Sequence, residues 1–274
     1  MMNPFVINGI VPDKYFCDRE KETEKLLRCV RNQSNVLLTS PRRMGKTQLI
    51  RHLYQQGELS QDYQTFYVDI YSTTSLQEFI LLLGKEIYTT LAPKGKKVLD
   101  SFISVLKSIS GSFGYDALTG LPSFDVKLGD IRLPELTLSE ILAYLENADK
   151  PCVCTIDEFQ QIGEFSDTTA FQKELRTIWQ HQMNVTYCLF GSKKHMMESL
   201  FDTTEKAFFK FGDIIYLKTI PLNYWLEFIS RKFGEAGKTI ASQQGEQICE
   251  AVHCHSSYVQ QLCWYVFLTS ADIV

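Results

Sequence analysis

Eight residues, Ser40-Pro41-Arg42-Arg43-Met44-Gly45-Lys46-Thr47, separate an apolar run from an amphipathic one. The run before them, Val36-Leu37-Leu38-Thr39, is short and fit for a buried strand. After them Leu49, Ile50 and Leu53 recur at helical spacing. A strand that turns directly into a helix leaves backbone N–H groups pointing at one spot, and the helix dipole favours negative charge there. The loop therefore reads as a phosphate cradle. Gly45 lets the chain come close to a phosphate, Lys46 reaches the β- and γ-phosphates, and the Thr47 hydroxyl ligates Mg²⁺. Ser40 stands where such loops usually begin with glycine. Serine is tolerated there only if the backbone needs no positive φ, and Pro41 pushes Ser40 toward extended geometry. The triplet Gly45-Lys46-Thr47 alone also arises by chance; its place between strand and helix gives it weight.

The remaining pattern alternates strand and helix. Arg19 to Arg31 reads as a helix, Thr65 to Ile70 as a strand, and a helix from about Ser75 carries Leu76, Phe79, Ile80, Leu83 and Ile87. Lys94 to Lys107 reads as a polar helix and Gly111 to Gly129 as a hairpin or loop. We take about 93–137 as an insertion. A helix then begins at Ser139. The apolar runs Cys152 to Ile156, Val185 to Phe190 and Ile214 to Leu217 complete a set of five strands, with a helix from about Ala170 to Gln182 between the first two runs. Such alternation predicts an α/β fold: three layers around a mainly parallel five-stranded sheet, covered on both faces. Residues 1–220 form that domain, and 221–274 a small helical one.

The strand over Cys152–Ile156 exits into Asp157-Glu158. Asp157 can hold Mg²⁺, directly or through water, and Glu158 can orient or deprotonate an attacking water. A merely acidic, solvated strand exit has the same sequence; pairing with the Gly45-Lys46-Thr47 strand favours the chemical reading, because ligands of open α/β sheets gather at the strands' carboxyl ends. Gly191-Ser192 ends the next strand, either as an ordinary turn or with Ser192 between the γ-phosphate and the water.

In this order, Phe16 to Glu22, the Ser40–Thr47 loop, Ile156-Asp157-Glu158-Phe159-Gln160 and Gly191-Ser192 resemble the archaeal/bacterial ATPase family within the AAA-like and STAND-type P-loop NTPases. The resemblance spans about Asn3 to Pro221. It implies ATP with Mg²⁺ as cofactors. It places Arg19 and Glu20 near adenine and ribose, and Ser40 through Gln48 (Pro41, Arg42, Arg43 and Met44 among them) around the phosphates. It makes Lys46, Glu158 and Ser192 catalytic, and Thr47 and Asp157 the metal residues. Lys210 or Arg176 could serve as a charge-stabilising finger, or either could be a solvated surface charge. The helical tail resembles the family's lid, with His255 to Leu262 in the helix that approaches the nucleotide; relatives continue into a winged-helix module.

Length and charge narrow the functional classes. The chain has 274 residues, a formal net charge of −4 and no basic stripe, so DNA binding has no support from charge. Eight cysteines, several in strand-like apolar runs, point to a reducing cytoplasm. The N-terminus lacks the pattern of a signal peptide, and no run is long enough to span a membrane. The leading expectation is an ATP-hydrolysing molecular switch, slow without a protein partner and able to form homo-oligomers. The alternatives are an ATP-controlled DNA-binding or defence regulator, and an interaction module that binds ATP or ADP without turnover. Cys249, His253, Cys254, His255 and Cys263 match no standard zinc spacing.

Overall fold

The strands sort themselves by how completely their sequences are apolar. In the computed structural model, β1 (Val36–Thr39) follows α1 (Glu20–Arg31) and is buried at all positions. The structure describes residues 3–7, 9, 12, 15–115, 122–166, 168–201 and 206–270. The loop leads to α2 (Lys46–Gln55), α3 (Gly57–Asp62) and β2 (Gln64–Asp69). Next come α4 (Leu76–Leu91), α5 (Lys96–Val105), the short strands β3 (Gly114–Tyr115) and β4 (Pro122–Ser123), and α6 (Pro134–Glu146). The remainder is β5 (Cys152–Asp157), α7 (Thr168–Trp179), β6 (Val185–Gly191), α8 (Lys194–Phe201), β7 (Asp213–Tyr216), α9 (Leu222–Glu235), α10 (Ser242–Ala251) and α11 (Ser256–Thr269). The five-stranded sheet has the order β2-β5-β6-β1-β7. β5 and β6 lie inside it and are buried throughout, whereas the edge strands β2 and β7 expose part of their residues.

The β2–β5, β5–β6 and β1–β6 pairs are all parallel. Their register sets Asp69 beside Asp157 and Thr39 beside Gly191. The carboxyl ends of four strands thus share one edge, and β6 runs between β5 and β1.

The chain clusters into two compact units. One comprises Arg28–Thr39 and Gly57–Ile215. Its core joins Phe66, Phe79, Cys154, Phe159 and Leu189 to Leu99, Phe102, Ile109 and Ile131. The stretch taken as an insertion therefore helps build this core, and the expected polar helix buries Leu99 and Phe102 completely. α6 begins at Pro134, ahead of the expected Ser139. Proline at a first helical turn lacks only an N–H that would have no partner there, so Pro134 is free to start the helix.

The other unit comprises Met1–Leu27, Ser40–Gln56 and Tyr216–Val274. Phe5, Trp225, Phe228, Phe233, Ile248, Val259 and Phe267 are packed in its core. Lys238, almost buried, donates from Nζ to the carbonyls of Phe267 (2.9 Å) and Ser270 (2.5 Å), where α11 ends and its carbonyls lack helical partners. Among the described residues no helix is long and apolar enough to cross a membrane.

Candidate nucleotide site

The loop is shaped by its backbone. Arg43 (φ 62) and Gly45 (φ 92) are left-handed, and Ser40 is not, which satisfies the condition under which serine can replace the leading glycine. Gly45 caps α2, and no side chain caps it in turn. A Cβ on Gly45 would meet nothing within 4 Å, so glycine is required here by φ and not by space. Lys46 is buried and turned into the loop; its Nζ donates to Ser40 O (3.1 Å), Ser40 Oγ (3.3 Å) and Pro41 O (3.2 Å). Gln48 Nε2 donates to Gly9 O at 2.8 Å, Met44 is buried, and Pro41, Arg42 and Arg43 are exposed. Thr47 is half-buried at the head of α2.

The same unit brings the loop to the start of α11. Ser257 N donates to Arg43 O at 3.2 Å, and the Arg43 guanidinium lies 5.6 Å from the Tyr258 ring centroid. Beside that contact His255 Nδ1, Ser256 Oγ and Gln260 Oε1 are buried with no hydrogen-bond partner among the described residues. Arg19 (φ 86) is buried; its guanidinium donates to Glu22 Oε1 (2.8 Å) and Lys218 O (2.7 Å), and Glu20 is exposed at the start of α1.

The acidic strand end is shaped by side chains. Asp157, nearly buried, accepts from Tyr67 OH at Oδ2 and from Glu158 N at Oδ1 (2.8 Å). Glu158 is left-handed (φ 55, ψ 39), and its Oε2 accepts from Ser192 Oγ (2.8 Å) and from Gln160 Nε2. Gln160 is fully buried, and its Oε1 has no partner among the described residues. Gly191 separates these groups from α8: a Cβ there would collide with Met197 and with Gln160 Oε1. Asp69 stands next to Asp157 in the register, and burial, then the charges of Asp157 and Glu158, push its carboxyl above the usual range, against one bond from Tyr71 N–H.

Sequence reasoning named Asp157, Glu158 and Ser192, and the structure joins the last two by a hydrogen bond. It missed Tyr67, Asp69 and Gln160. The Gln160 signal was present in the quoted Ile156–Gln160 motif; the other two depend on strand register. Of the finger candidates, Arg176 stacks 4.9 Å from the Phe211 ring centroid, and burial lowers its pKa. Lys210 (φ 52) lies 5.4 Å from the Phe209 ring centroid and is exposed.

A strand order with β6 between β5 and β1, an uncapped glycine turn into α2 and an acidic end on β5 define a P-loop NTPase fold. The model for the ATPase domain predominantly from Archaea matches residues 16–262. The chain belongs to that ATP-binding family. It is 28% identical over 166 residues to an uncharacterized ATP-binding protein of Methanocaldococcus jannaschii, a match covering 57% of this chain and 45% of that protein. It is 27% identical over 173 residues to an uncharacterized ATP-binding protein of Pyrococcus abyssi, covering 61% and 49%. The matches thus take in about half the length of these curated relatives. A Walker-type ATPase of Pyrococcus abyssi shares the fold with a TM-score of 0.68 at 18% identity, over 95% of this chain and 70% of that one. The Aeropyrum pernix ORC1 protein, solved in complex with DNA, aligns with a TM-score of 0.54 at 12% identity, over 94% and 62%.

Proposed function

We propose that this chain binds ATP with Mg²⁺, hydrolyses it slowly until a partner engages, and works as a molecular switch. The observation that carries the reading is the loop itself, with Lys46 gathered under a left-handed turn at an uncapped helix start. Lys46 exchanges its bonds to loop carbonyls for phosphate oxygens, and the N–H groups of Gly45 to Thr47 complete the cradle. Asp157 and the Thr47 hydroxyl are hard oxygen donors, suited to Mg²⁺. Burial first, and the neighbouring charges of Asp157 and Glu158 in smaller measure, raise the Asp69 carboxyl, and three carboxylates so placed suit a cation. Mg²⁺, when bound, neutralises charge on the β- and γ-phosphate oxygens. Glu158 takes the proton of the attacking water, and Ser192 and Gln160 hold its carboxylate in place. The unsatisfied atoms of His255, Ser256 and Gln260 offer polar contacts from α11. Ordering of the loop by nucleotide would then be passed to α11 through Arg43.

The two donors on Glu158 Oε2 also favour a second reading, nucleotide binding without turnover, since an oxygen that already accepts two hydrogen bonds has less room to accept from a water. One set of measurements separates the readings. At roughly a hundred times Kd, ATP should stabilise the protein by about 2.7 kcal/mol. The Tm gain should need Mg²⁺ and vanish in Lys46→Ala. Phosphate release that stops in both Lys46→Ala and Glu158→Gln supports the switch. Mg²⁺-dependent protection with no phosphate release, with or without candidate partners, supports the second reading. No protection under any condition would falsify both.

A further inference from the structure

The corner between α10 and α11 closes on a pair of cysteines. Cys254 N donates to Cys249 O at 2.8 Å, and His253 N to Glu250 O at 3.1 Å. This six-to-one bond around a five-to-two bond is the Schellman closure of a helix. Its left-handed position usually goes to glycine, but here His253 (φ 51) occupies it and Cys254 (φ 55) repeats the conformation. The closure sets two residues side by side, in most helices as an apolar contact. In this chain both are cysteine, near enough for each thiol to act on the other electrostatically. Among the described residues no group of three or more His, Cys, Asp or Glu is arranged for a metal.

Two cysteines can be bridged when their backbones approach within about 7 Å and their side chains face each other. The six-to-one bond brings the backbones within that reach, and the closure sets the two side chains against each other. Their exposures differ. Cys254 is half-buried and open to solvent, whereas Cys249 is fully buried, which pushes its thiol up to about 12. Reagents therefore reach Cys254 first, and Cys249 waits as a protected thiol.

We propose that Cys249 and Cys254 are an oxidation site, at which a hydroperoxide converts the pair to a disulfide through a sulfenic acid on Cys254. The Cys254 sulfur attacks the peroxide, the O–O bond breaks, and the first water or alcohol leaves. The Cys249 sulfur then attacks the sulfenic sulfur. The S–S bond forms, the S–O bond breaks, and hydroxide departs with the Cys249 proton as water. The two thiols give up two electrons and two protons, and the peroxide takes them. With so few residues enclosed, the bond does little through chain entropy. What it fixes is the corner ahead of α11, whose first turn meets Arg43. The proposal is independent of nucleotide binding.

The test is peptide mapping of the intact protein after brief exposure to hydrogen peroxide and alkylation of free thiols. Cleavage after Glu250 separates the two cysteines, and cleavage after Tyr258 separates Cys254 from Cys263. The expected product joins the Cys249 and Cys254 fragments, lighter by two hydrogens than their reduced sum. It separates on treatment with dithiothreitol, is lost in Cys254→Ser and persists in Cys263→Ser. Sulfinic acid on Cys254 without a cross-link, a Cys249–Cys263 cross-link, or thiols all recovered at a dose that oxidises free glutathione would each overturn the proposal.

Discussion

Gly45 and Gly191 end the two halves of the motif set, and they are glycines for opposite reasons. Gly45 has open space around a missing side chain but a φ of 92. Gly191 has ordinary backbone but no space, with Met197 and Gln160 against it. The phosphate loop is thus prescribed by torsion angles, and the acidic strand end by packed side chains. A backbone-shaped loop can rebuild around a ligand. A packed network holds its carboxylates in place whether or not a ligand is near.

The comparison can be broken in several places. The largest expected effect is chemical: Glu158→Gln should lower phosphate release by roughly 10²–10⁴-fold while leaving ATP-induced thermal protection in place. Loss of both together would mean that the strand end also shapes the loop. Gly191→Ala should destabilise by about 1–3 kcal/mol in urea unfolding through overpacking, and trimming the neighbour with Met197→Ala should recover much of that. Gly45→Ala should cost about 1–2 kcal/mol through its left-handed backbone alone. No trimming of a neighbour should rescue it, because there is none to trim; a neutral Gly45→Ala would sink the torsional account.

The smallest effect concerns Asp69. Its folded carboxyl lies above the unfolded value, so folding favours the protonated form. The ionised group weakens the fold as pH rises through the window between the two values, and the penalty is fully present above it. Asp69→Asn should therefore add less than about 1 kcal/mol at neutral pH and lose that advantage in acid. Denaturation curves at the two pH values check the sign.

The same contrast explains how far the sequence could be read. β1, β5 and β6 were legible because strands buried on both faces are short, continuous apolar runs. Asp157, Glu158 and Ser192 follow those runs directly, so their places followed too. The partners of these residues were not legible. Tyr67 reaches Asp157 only because β2 pairs with β5 in one register, and a hydrophobic pattern does not name that register. α5 was read as polar because its lysines are conspicuous, although Leu99 and Phe102 share one buried face. The meeting of Arg43 with Ser257 and Tyr258 joins distant segments and leaves no local trace.

Glu158 turns the chain at the end of β5. Its left-handed backbone is one that asparagine or glycine would adopt more readily than glutamate, and that valine or isoleucine would resist. The main chain at this position suits glycine, asparagine or aspartate best, and only aspartate among them keeps an acid. A relative freed from any need for a carboxylate here would relax toward asparagine or glycine at position 158, leaving Ser192 and Gln160 without the group they now hold.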